Sequence, residues 1–101
     1  MLFRSFALPG HAVGHMGYRL GTGDDNVLFC GDVFHVHALQ LARPELTWGY
    51  DDNQVVARAT RLELLRDAAA EHTWLAGAHL DRPGIGRVTA DGQGYAFAPA
   101  A

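Results

Sequence analysis

The sequence predicts a mixed α/β chain in which short strands surround one long helix. Three observations support this fold class. Glycine and proline divide the 101 residues into short segments. Several of these segments are short apolar runs bounded by turn residues, which is typical of buried strands. One longer segment repeats apolar residues at helical spacing.

The first strands are predicted on either side of a glycine-rich loop. The predicted elements are, in order, a strand at 1–8, the loop PGHAVGHMG at 9–17, a strand at Tyr18–Leu20, a turn at 21–26 and a buried strand at Val27–Cys30. The last of these strands ends at Gly31-Asp32. The segment 33–50 mixes apolar and aromatic residues, and we expect an irregular or partly helical wall there.

The clearest element is a helix from about residue 52 to Glu71, with Asp51 or Asp52 as its N-cap. Its apolar stripe is predicted to contain Val55, Ala59, Leu62, Leu65 and Ala69. The predicted solvent-facing side carries Arg58, Arg61, Arg66, Asp67 and Glu71.

Further strands are predicted after the helix. Thr73–Ala76 is apolar enough for a buried strand, and it leads into Gly77-Ala78-His79. Gly86–Ala90 and Tyr95–Ala98 flank the turn sequence ADGQG, which indicates a hairpin.

Composition and charge exclude several classes of protein. A net charge of −3 and a pI near 6.0 give no basic surface for nucleic acid. A single cysteine cannot form an internal disulfide. No apolar run approaches the roughly 20 residues that span a bilayer, and the first residues do not resemble a signal peptide. We therefore expect a cytoplasmic protein without a membrane partner.

Three polar residues follow apolar or glycine-bounded segments and are candidate metal ligands. They are His11 in the glycine-rich loop, Asp32 after a buried strand and His79 after another. Histidine and aspartate are common metal ligands, and glycine allows close approach. The alternatives stay open from spacing alone: a solvent-facing loop histidine, a turn aspartate and a hydrogen-bonded structural histidine.

The other chemically interesting residues have simpler interpretations. His35 and His37 form an HxH pair without a further ligand nearby, so His35 is assigned to the pocket beside Asp32 and His37 to packing or the surface. His72 ends the helix, where a histidine complements the helix dipole. Cys30 is expected to be a buried, inert thiol. Trp48 and Tyr50 are interpreted as core residues, with the lining of an apolar pocket as the alternative. The sequence contains no GxSxG, CxxC, phosphate-loop or dinucleotide motif.

Three longer motifs carry a family resemblance. PGHAVGHMGY, FCGDVFHVHALQLARPE and AGAHLDRPGIGRV resemble the C-terminal half of metallo-β-lactamase-fold hydrolases, and most of all the branch that contains methyl parathion hydrolase. The resemblance implies half of an αββα sandwich, with residues 1–101 as a single partial domain. It also implies a zinc-type dinuclear centre, for which other divalent transition metals are suitable.

The resemblance implies a role for each candidate residue. His11 is similar to the histidine that completes the first metal site, Asp32 to the carboxylate that bridges both metals, and His79 to the last histidine of the second site. Asp32 is thereby also the implied catalytic residue. His15 is similar to a position that is not usually a ligand, and we place it with His35 in the pocket. The implied reaction is attack of a metal-held hydroxide on an ester, lactone, amide or phosphoester of a small molecule.

The sequence also departs from the family pattern. The HxHxDH motif, which supplies the remaining ligands from the N-terminal half, is absent from these residues. We therefore expect an incomplete half-site that is inactive alone, and an exposed apolar sheet face. The alternative is a non-catalytic or split-protein interaction module with a vestigial metal site, which pairs with itself or with an N-terminal half. A third interpretation is a small metal-binding protein that uses His11, His15, Asp32 and His79.

Overall fold

The computed structural model describes residues 3–21 and 26–100, and within them it has six strands and two helices. In chain order the elements are β1 Phe3–Ala7, β2 Met16–Leu20, β3 Val27–Phe29, α1 His37–Ala42, α2 Gln54–Glu71, β4 Trp74–Ala76, β5 Ile85–Asp91 and β6 Gly94–Pro99. The mixed α/β class is confirmed. The turn expected at 21–26 includes residues 22–25, which lie outside the described residues.

The strands form one six-stranded sheet in the order β1-β2-β3-β4-β5-β6. The β3–β4 pair is parallel and the other neighbouring pairs are antiparallel. A parallel pair needs a crossover connection, and both helices lie in it. The hairpin predicted around ADGQG is confirmed as β5 and β6, which pair from Asp91 opposite Gly94 outward.

The core lies between α2 and one face of the sheet. Leu64, Leu65 and Ala68 of α2 pack in one buried cluster with strand residues that include Leu28 and Leu75. Side chains that alternate along a strand point to opposite faces, so Leu28 and Leu75, which are register partners, define the helix-covered face. This packing fixes the positions of the β3 and β4 ends.

The predicted stripe of α2 is wrong at several positions. Val55 is 66% exposed and Leu62 is 41% exposed, whereas Ala57, Leu64 and Ala68 are buried. The reason is that an arginine, which the apolar pattern assigned to solvent, occupies part of the buried face. The buried arc of α2 is therefore rotated relative to the arc that apolar residues alone suggest.

That arginine is Arg61, which is fully buried rather than solvent-facing. Its guanidinium donates hydrogen bonds to the carbonyl oxygens of Pro44 (2.9 Å), Val33 (3.2 Å) and Leu46. Burial lowers the pKa of Arg61 below its ordinary value, and the Asp51 carboxylate opposes this shift. A buried charge requires such partners, so Arg61 holds the segment between β3 and α2 against the helix.

The N-cap of α2 also differs from the prediction. Asn53 is the cap, and its side-chain oxygen accepts a hydrogen bond from the Val56 N–H at 3.1 Å. Asp51, predicted as a cap, is buried and its carboxylate is directed elsewhere. At the other end, His72 is the C-cap with a left-handed backbone (φ 54°), so the prediction that it ends the helix is confirmed.

The segment 33–50 is partly helical, as predicted, and it is fixed by a buried glutamine. The Gln40 side-chain oxygen of α1 accepts hydrogen bonds from the backbone N–H groups of His35 (2.8 Å) and Val36 (3.2 Å). Together with Arg61, this glutamine holds the backbone that carries His35.

The opposite face of the sheet is apolar and is covered by neither helix of the described chain. We call the apolar side chains on this side the open face; its members are Phe3, Met16, Tyr18, Leu20, Val27, Phe29, Trp74, Ala76 and Ile85. Phe3 stacks on Tyr18 with ring centroids 5.7 Å apart. Phe3 is 62% exposed and Phe29 is 42% exposed, so the expectation of an exposed apolar face is confirmed.

Among the described helices, none is long and apolar enough to span a membrane.

Candidate metal centre

The ends of three strands bring together His11, Asp32 and His79. His11 follows β1, Asp32 follows β3 and His79 follows β4. The Asp32 Oδ2 atom lies 3.3 Å from His11 Nε2, and its Oδ1 atom lies 3.3 Å from His79 Nε2. Each carboxylate oxygen therefore faces a different imidazole, which is the arrangement that a bridging carboxylate needs.

Asp51 fixes the orientation of His11, and sequence reasoning missed this role. The His11 Nδ1 atom lies 2.9 Å from Asp51 Oδ1. Because a carboxylate only accepts hydrogen bonds, Nδ1 carries the proton in this contact, and the ring is held with Nε2 on the side of Asp32. No sequence pattern indicates this contact, since an aspartate just before a helix is also a good cap.

The glycine-rich loop is attached to the start of α2, which explains how His11 and Asp51 meet. The carbonyl oxygens of Gly10 and His11 accept hydrogen bonds from the N–H groups of Asn53 (2.8 Å) and Asp52 (3.0 Å). Gly10 has φ +120°, and a Cβ there would lie 2.2 Å from the Ala57 nitrogen. Only glycine allows this close approach between loop and helix.

His15 supports Asp32, and both of its ring nitrogens are occupied. Nδ1 donates to the Leu8 carbonyl at 2.8 Å, and Nε2 accepts the Asp32 backbone N–H at 3.0 Å. These two bonds require a neutral ring and leave no nitrogen for a metal. Gly31 makes the contact possible, because its φ is +53° and a Cβ would lie 2.6 Å from His15 Nε2.

His35 lies in the middle of the site. Its ring is tilted against that of His11 (centroids 4.8 Å apart) and stacked on that of His79 (5.0 Å). Burial lowers the pKa of His35 below its usual value, and the nearby His11 ring adds to the shift. The lowered pKa favours the neutral form of the ring, which is the form that binds metals.

An aromatic ladder extends from His35 to the surface. Trp48 stacks on His35 with centroids 5.3 Å apart and an interplanar angle of 11°, and Tyr50 lies against Trp48 at 5.4 Å. Tyr50 is 81% exposed, so its interpretation as a core residue is wrong. The ladder provides an aromatic wall that begins at the metal-ligand candidates.

The remaining candidates lie outside the site. Cys30 is fully buried, and burial raises the pKa of its thiol to about 12, in agreement with the expected inert role. His37 begins α1 and His72 ends α2, and neither belongs to a group of potential ligands among the described residues.

Two groups of side chains have the composition and spacing of a metal site. The groups are His11, His35 and Asp51, and Asp32, His35 and His79; within each, the candidate ligand atoms lie within 4.8 Å of one another. Neutral imidazoles and a carboxylate are suitable ligands for zinc and other divalent transition metals. These side chains therefore fit such an ion. An ion held by them could take part in metal-assisted chemistry.

A cavity larger than the small pocket beside His11 and Asp32 lies away from these histidines. It has a volume of about 400 Å³ and lies between β1, β2 and α2. Its described lining includes Phe6 and Leu64 but no member of the clusters of histidine and aspartate described above.

Comparisons with known proteins agree with this fold. A family model described as the metallo-beta-lactamase superfamily matches residues 2–79. The chain is similar to the crystal structure of the hydrolase AbOPH in the beta lactamase superfamily, with 36% identity and a TM-score of 0.91. The match covers 98% of this chain and 34% of that one. One sheet with its helices thus matches half of a metallo-β-lactamase sandwich.

A second solved structure shows the same fold at lower identity. It is AidC, a dizinc quorum-quenching lactonase in complex with the product N-hexnoyl-L-homoserine, with 22% identity and a TM-score of 0.90. The match covers 98% of this chain and 34% of that one. The chain therefore spans about a third of both solved structures. No curated protein matches the chain.

Proposed function

The chain belongs to the metallo-beta-lactamase superfamily, and on this premise we propose that it carries part of the active site of a zinc-type hydrolase. The observation that carries the proposal is the position of Asp32 between His11 and His79, with one carboxylate oxygen facing each Nε2 atom. We also propose that the hydrolase is a member of the branch that contains methyl parathion hydrolase. We propose a cytoplasmic location as well, with which the free thiol of Cys30 is compatible.

The chain's own residues prepare this site for an ion. Asp51 holds the Nδ1 proton of His11, so that Nε2 is free to bind. His15 fixes the backbone of Asp32, which sets the direction of the carboxylate. Divalent ions held by His11 and Asp32 at one position and by Asp32 and His79 at the other would polarise the scissile bond and activate a water molecule. In the proposal, Asp32 is the residue shared by the two metal positions.

We propose a small-molecule ester, lactone, amide or phosphoester as the substrate. The aromatic ladder of His35, Trp48 and Tyr50 supports this class, because it offers an apolar surface next to the polar site. The AidC structure contains a lactone-derived product, which makes lactones a reasonable first substrate to assay.

Metal content tests the proposed ligands directly. The chain is purified, loaded with Zn²⁺, dialysed and analysed for bound metal. We expect His11→Ala, Asp32→Ala and His79→Ala each to lower the zinc content, because each removes a ligand. His72→Ala is the matched control, since His72 is an exposed histidine at the far end of α2. Unchanged zinc in the three site variants would show that these residues are not the ligands.

A second candidate function is favoured by the open face. We propose, as the alternative, a split-protein interaction module whose open face pairs with the apolar sheet face of an N-terminal half. A six-stranded sheet with a layer of helices on one side only has the shape of half a sandwich, and Phe3, Tyr18 and Phe29 are exposed on its other side.

Size-exclusion chromatography with an apolar dye separates these possibilities. The chain alone is expected to self-associate or to bind the dye 8-anilinonaphthalene-1-sulfonate, because the open face lacks a covering layer in the described chain. A monomer that binds no dye would contradict the interaction proposal, while the metal measurements above would still decide the hydrolase proposal.

A further inference from the structure

His35 has one feature that its packing role does not explain. Its Nδ1 atom is buried and has no hydrogen-bond partner among residues 3–21 and 26–100. Most buried polar atoms in proteins are hydrogen-bonded, so an imidazole nitrogen without a partner indicates a missing one. A histidine that served only as a flat spacer between Trp48 and His79 would leave this nitrogen unsatisfied.

The position of the ring indicates what the missing partner is. His35 is common to both groups of potential ligands, and one of its ring nitrogens lies within 4.8 Å of the ligand atoms of Asp32 and His79. A metal ion at the centre of such a group would coordinate one ring nitrogen of His35, a role that its packing between Trp48 and His79 does not supply. We propose that His35 is a metal ligand of this chain, and that it forms a three-residue site with Asp32 and His79.

This group is favoured over the group of His11, His35 and Asp51. The Asp51 carboxylate already accepts the Nδ1 proton of His11 at 2.9 Å, and Asp51 is buried. Asp32 and His79 are partly exposed, with 37% and 46% of their side-chain surfaces accessible. An ion can therefore reach Asp32 and His79 from solvent without breaking the His11–Asp51 hydrogen bond.

The surrounding structure holds His35 in place before any ion binds. Its backbone N–H donates to Gln40 Oε1 at 2.8 Å, and its ring stacks on Trp48. Two residues earlier, the Val33 carbonyl accepts from the buried Arg61 guanidinium at 3.2 Å. Ligands with fixed backbones and locked rings lose little freedom on binding, which favours affinity. Two imidazoles and one carboxylate complete the three protein ligands of a catalytic zinc site.

This inference rests on the proposed function, because it uses Asp32 and His79 from that site, but it adds a ligand that the family resemblance does not supply. The resemblance implies only His11, Asp32 and His79 as ligands within these residues. With His35, the described chain has a complete set for one ion.

The first test measures the affinity of the 101-residue chain for Zn²⁺ and Co²⁺ by calorimetry and by the visible absorption of bound Co²⁺. His35→Ala is expected to weaken Zn²⁺ binding about tenfold or more, since even the loss of an outer partner of a ligand typically costs that much. It is also expected to change the Co²⁺ spectrum. His37→Ala is the matched control, and it is expected to bind both ions like the unaltered chain.

A second measurement does not depend on how well the His35→Ala chain folds. Imidazole ¹⁵N spectra of the unaltered chain, with and without Zn²⁺, report which rings bind the ion. We expect a ring nitrogen of His35 and one of His79 to shift as metal-bound imidazole nitrogens do, while His15, whose nitrogens are both occupied, keeps its tautomer.

The results separate this inference from the proposed function. If His79→Ala loses zinc while His35→Ala binds normally and the His35 nitrogens do not shift, His35 is not a ligand and the proposed site stands. If Asp32→Ala and His79→Ala bind zinc normally, both proposals fall together.

Discussion

At the scale of single residues, the site depends on which nitrogen of each histidine is already occupied. His15 uses both nitrogens in hydrogen bonds, and His11 uses Nδ1 on Asp51 and keeps Nε2 towards Asp32. His35 keeps a buried nitrogen without a described partner. Histidines that look alike in the sequence therefore have different chemical capacities.

Replacing Asp51 with asparagine tests the orientation of His11. Asp51→Asn keeps the shape of the side chain but removes the charge that stabilises the Nδ1 proton. We expect zinc affinity to fall by about tenfold, a typical effect of losing a partner of a metal ligand. Competition with a chelator measures this change. The neighbouring Asp52→Asn is the control, and equal affinities in the two variants would refute the orienting role of Asp51.

Some of these residue roles are visible in the sequence and others are not. His11, Asp32 and His79 could be selected because each follows an apolar strand or a glycine-rich turn. The role of Asp51 and the different roles of His15 and His35 could not be predicted, because they depend on contacts made by the fold. The His11–Asp51 pair, for example, joins residues that are 40 positions apart.

At the scale of elements, α2 shows how local rules give the right helix and the wrong details. The spacing of its apolar residues predicts a helix from about residue 52 to Glu71. The observed helix begins at Gln54 and ends at Glu71, so the lengths are nearly the same. The cap and the buried face were wrong, because Asp51 bonds to His11 in the candidate metal centre and Arg61 is buried in the core. Both errors concern charged residues whose partners lie outside the helix.

The N-cap provides a direct comparison. Asn53→Ala removes the acceptor for the Val56 N–H and is expected to lower the free energy of unfolding by about 1 kcal/mol. Asp52→Ala, one residue earlier and exposed, is expected to change it by only a few tenths of that amount. Urea unfolding of both variants measures the difference. A larger loss for Asp52→Ala would show that the cap is misassigned.

Arg61 is expected to stabilise the chain far more than a surface arginine. Arg61→Met removes the donor to the carbonyls of Pro44 and Val33, so that buried acceptors lose their partner. The expected loss is on the order of 3 kcal/mol. Arg66→Met is the control, because Arg66 is exposed on the same helix and should cost well under 1 kcal/mol. Thermal unfolding of both variants tests this, and similar losses would contradict the assigned role of Arg61.

At the scale of the whole molecule, the open face distinguishes this chain from a self-sufficient domain of the same length. The described helices cover one side of the sheet and leave large apolar side chains accessible on the other. The sequence predicted this face only through the family resemblance, since alternation along such short strands is too brief to show which side is covered.

A charge on the open face is expected to reduce dye binding and self-association. Phe29→Lys places a cation near the middle of the face, where it opposes contact with another apolar surface. Leu39→Lys is the control, because Leu39 is 56% exposed but lies on α1, away from the face. Dye fluorescence and sedimentation velocity compare the two variants. Equal effects would mean that the association does not involve the open face.

Among the described strands, β3 and β4 form the one parallel pair, and their pairing closes a longer stretch of chain than either terminal hairpin does. β1 with β2 and β5 with β6 join neighbours in the sequence, so both hairpins can form early and independently. β3 and β4 meet only after the whole helical crossover has closed, which is entropically the costliest step. Asp32 follows β3 and His79 follows β4, so these two candidate metal ligands come together only when this pair forms. An ion bound by both residues would link the ends of β3 and β4 and slow the separation of these two strands.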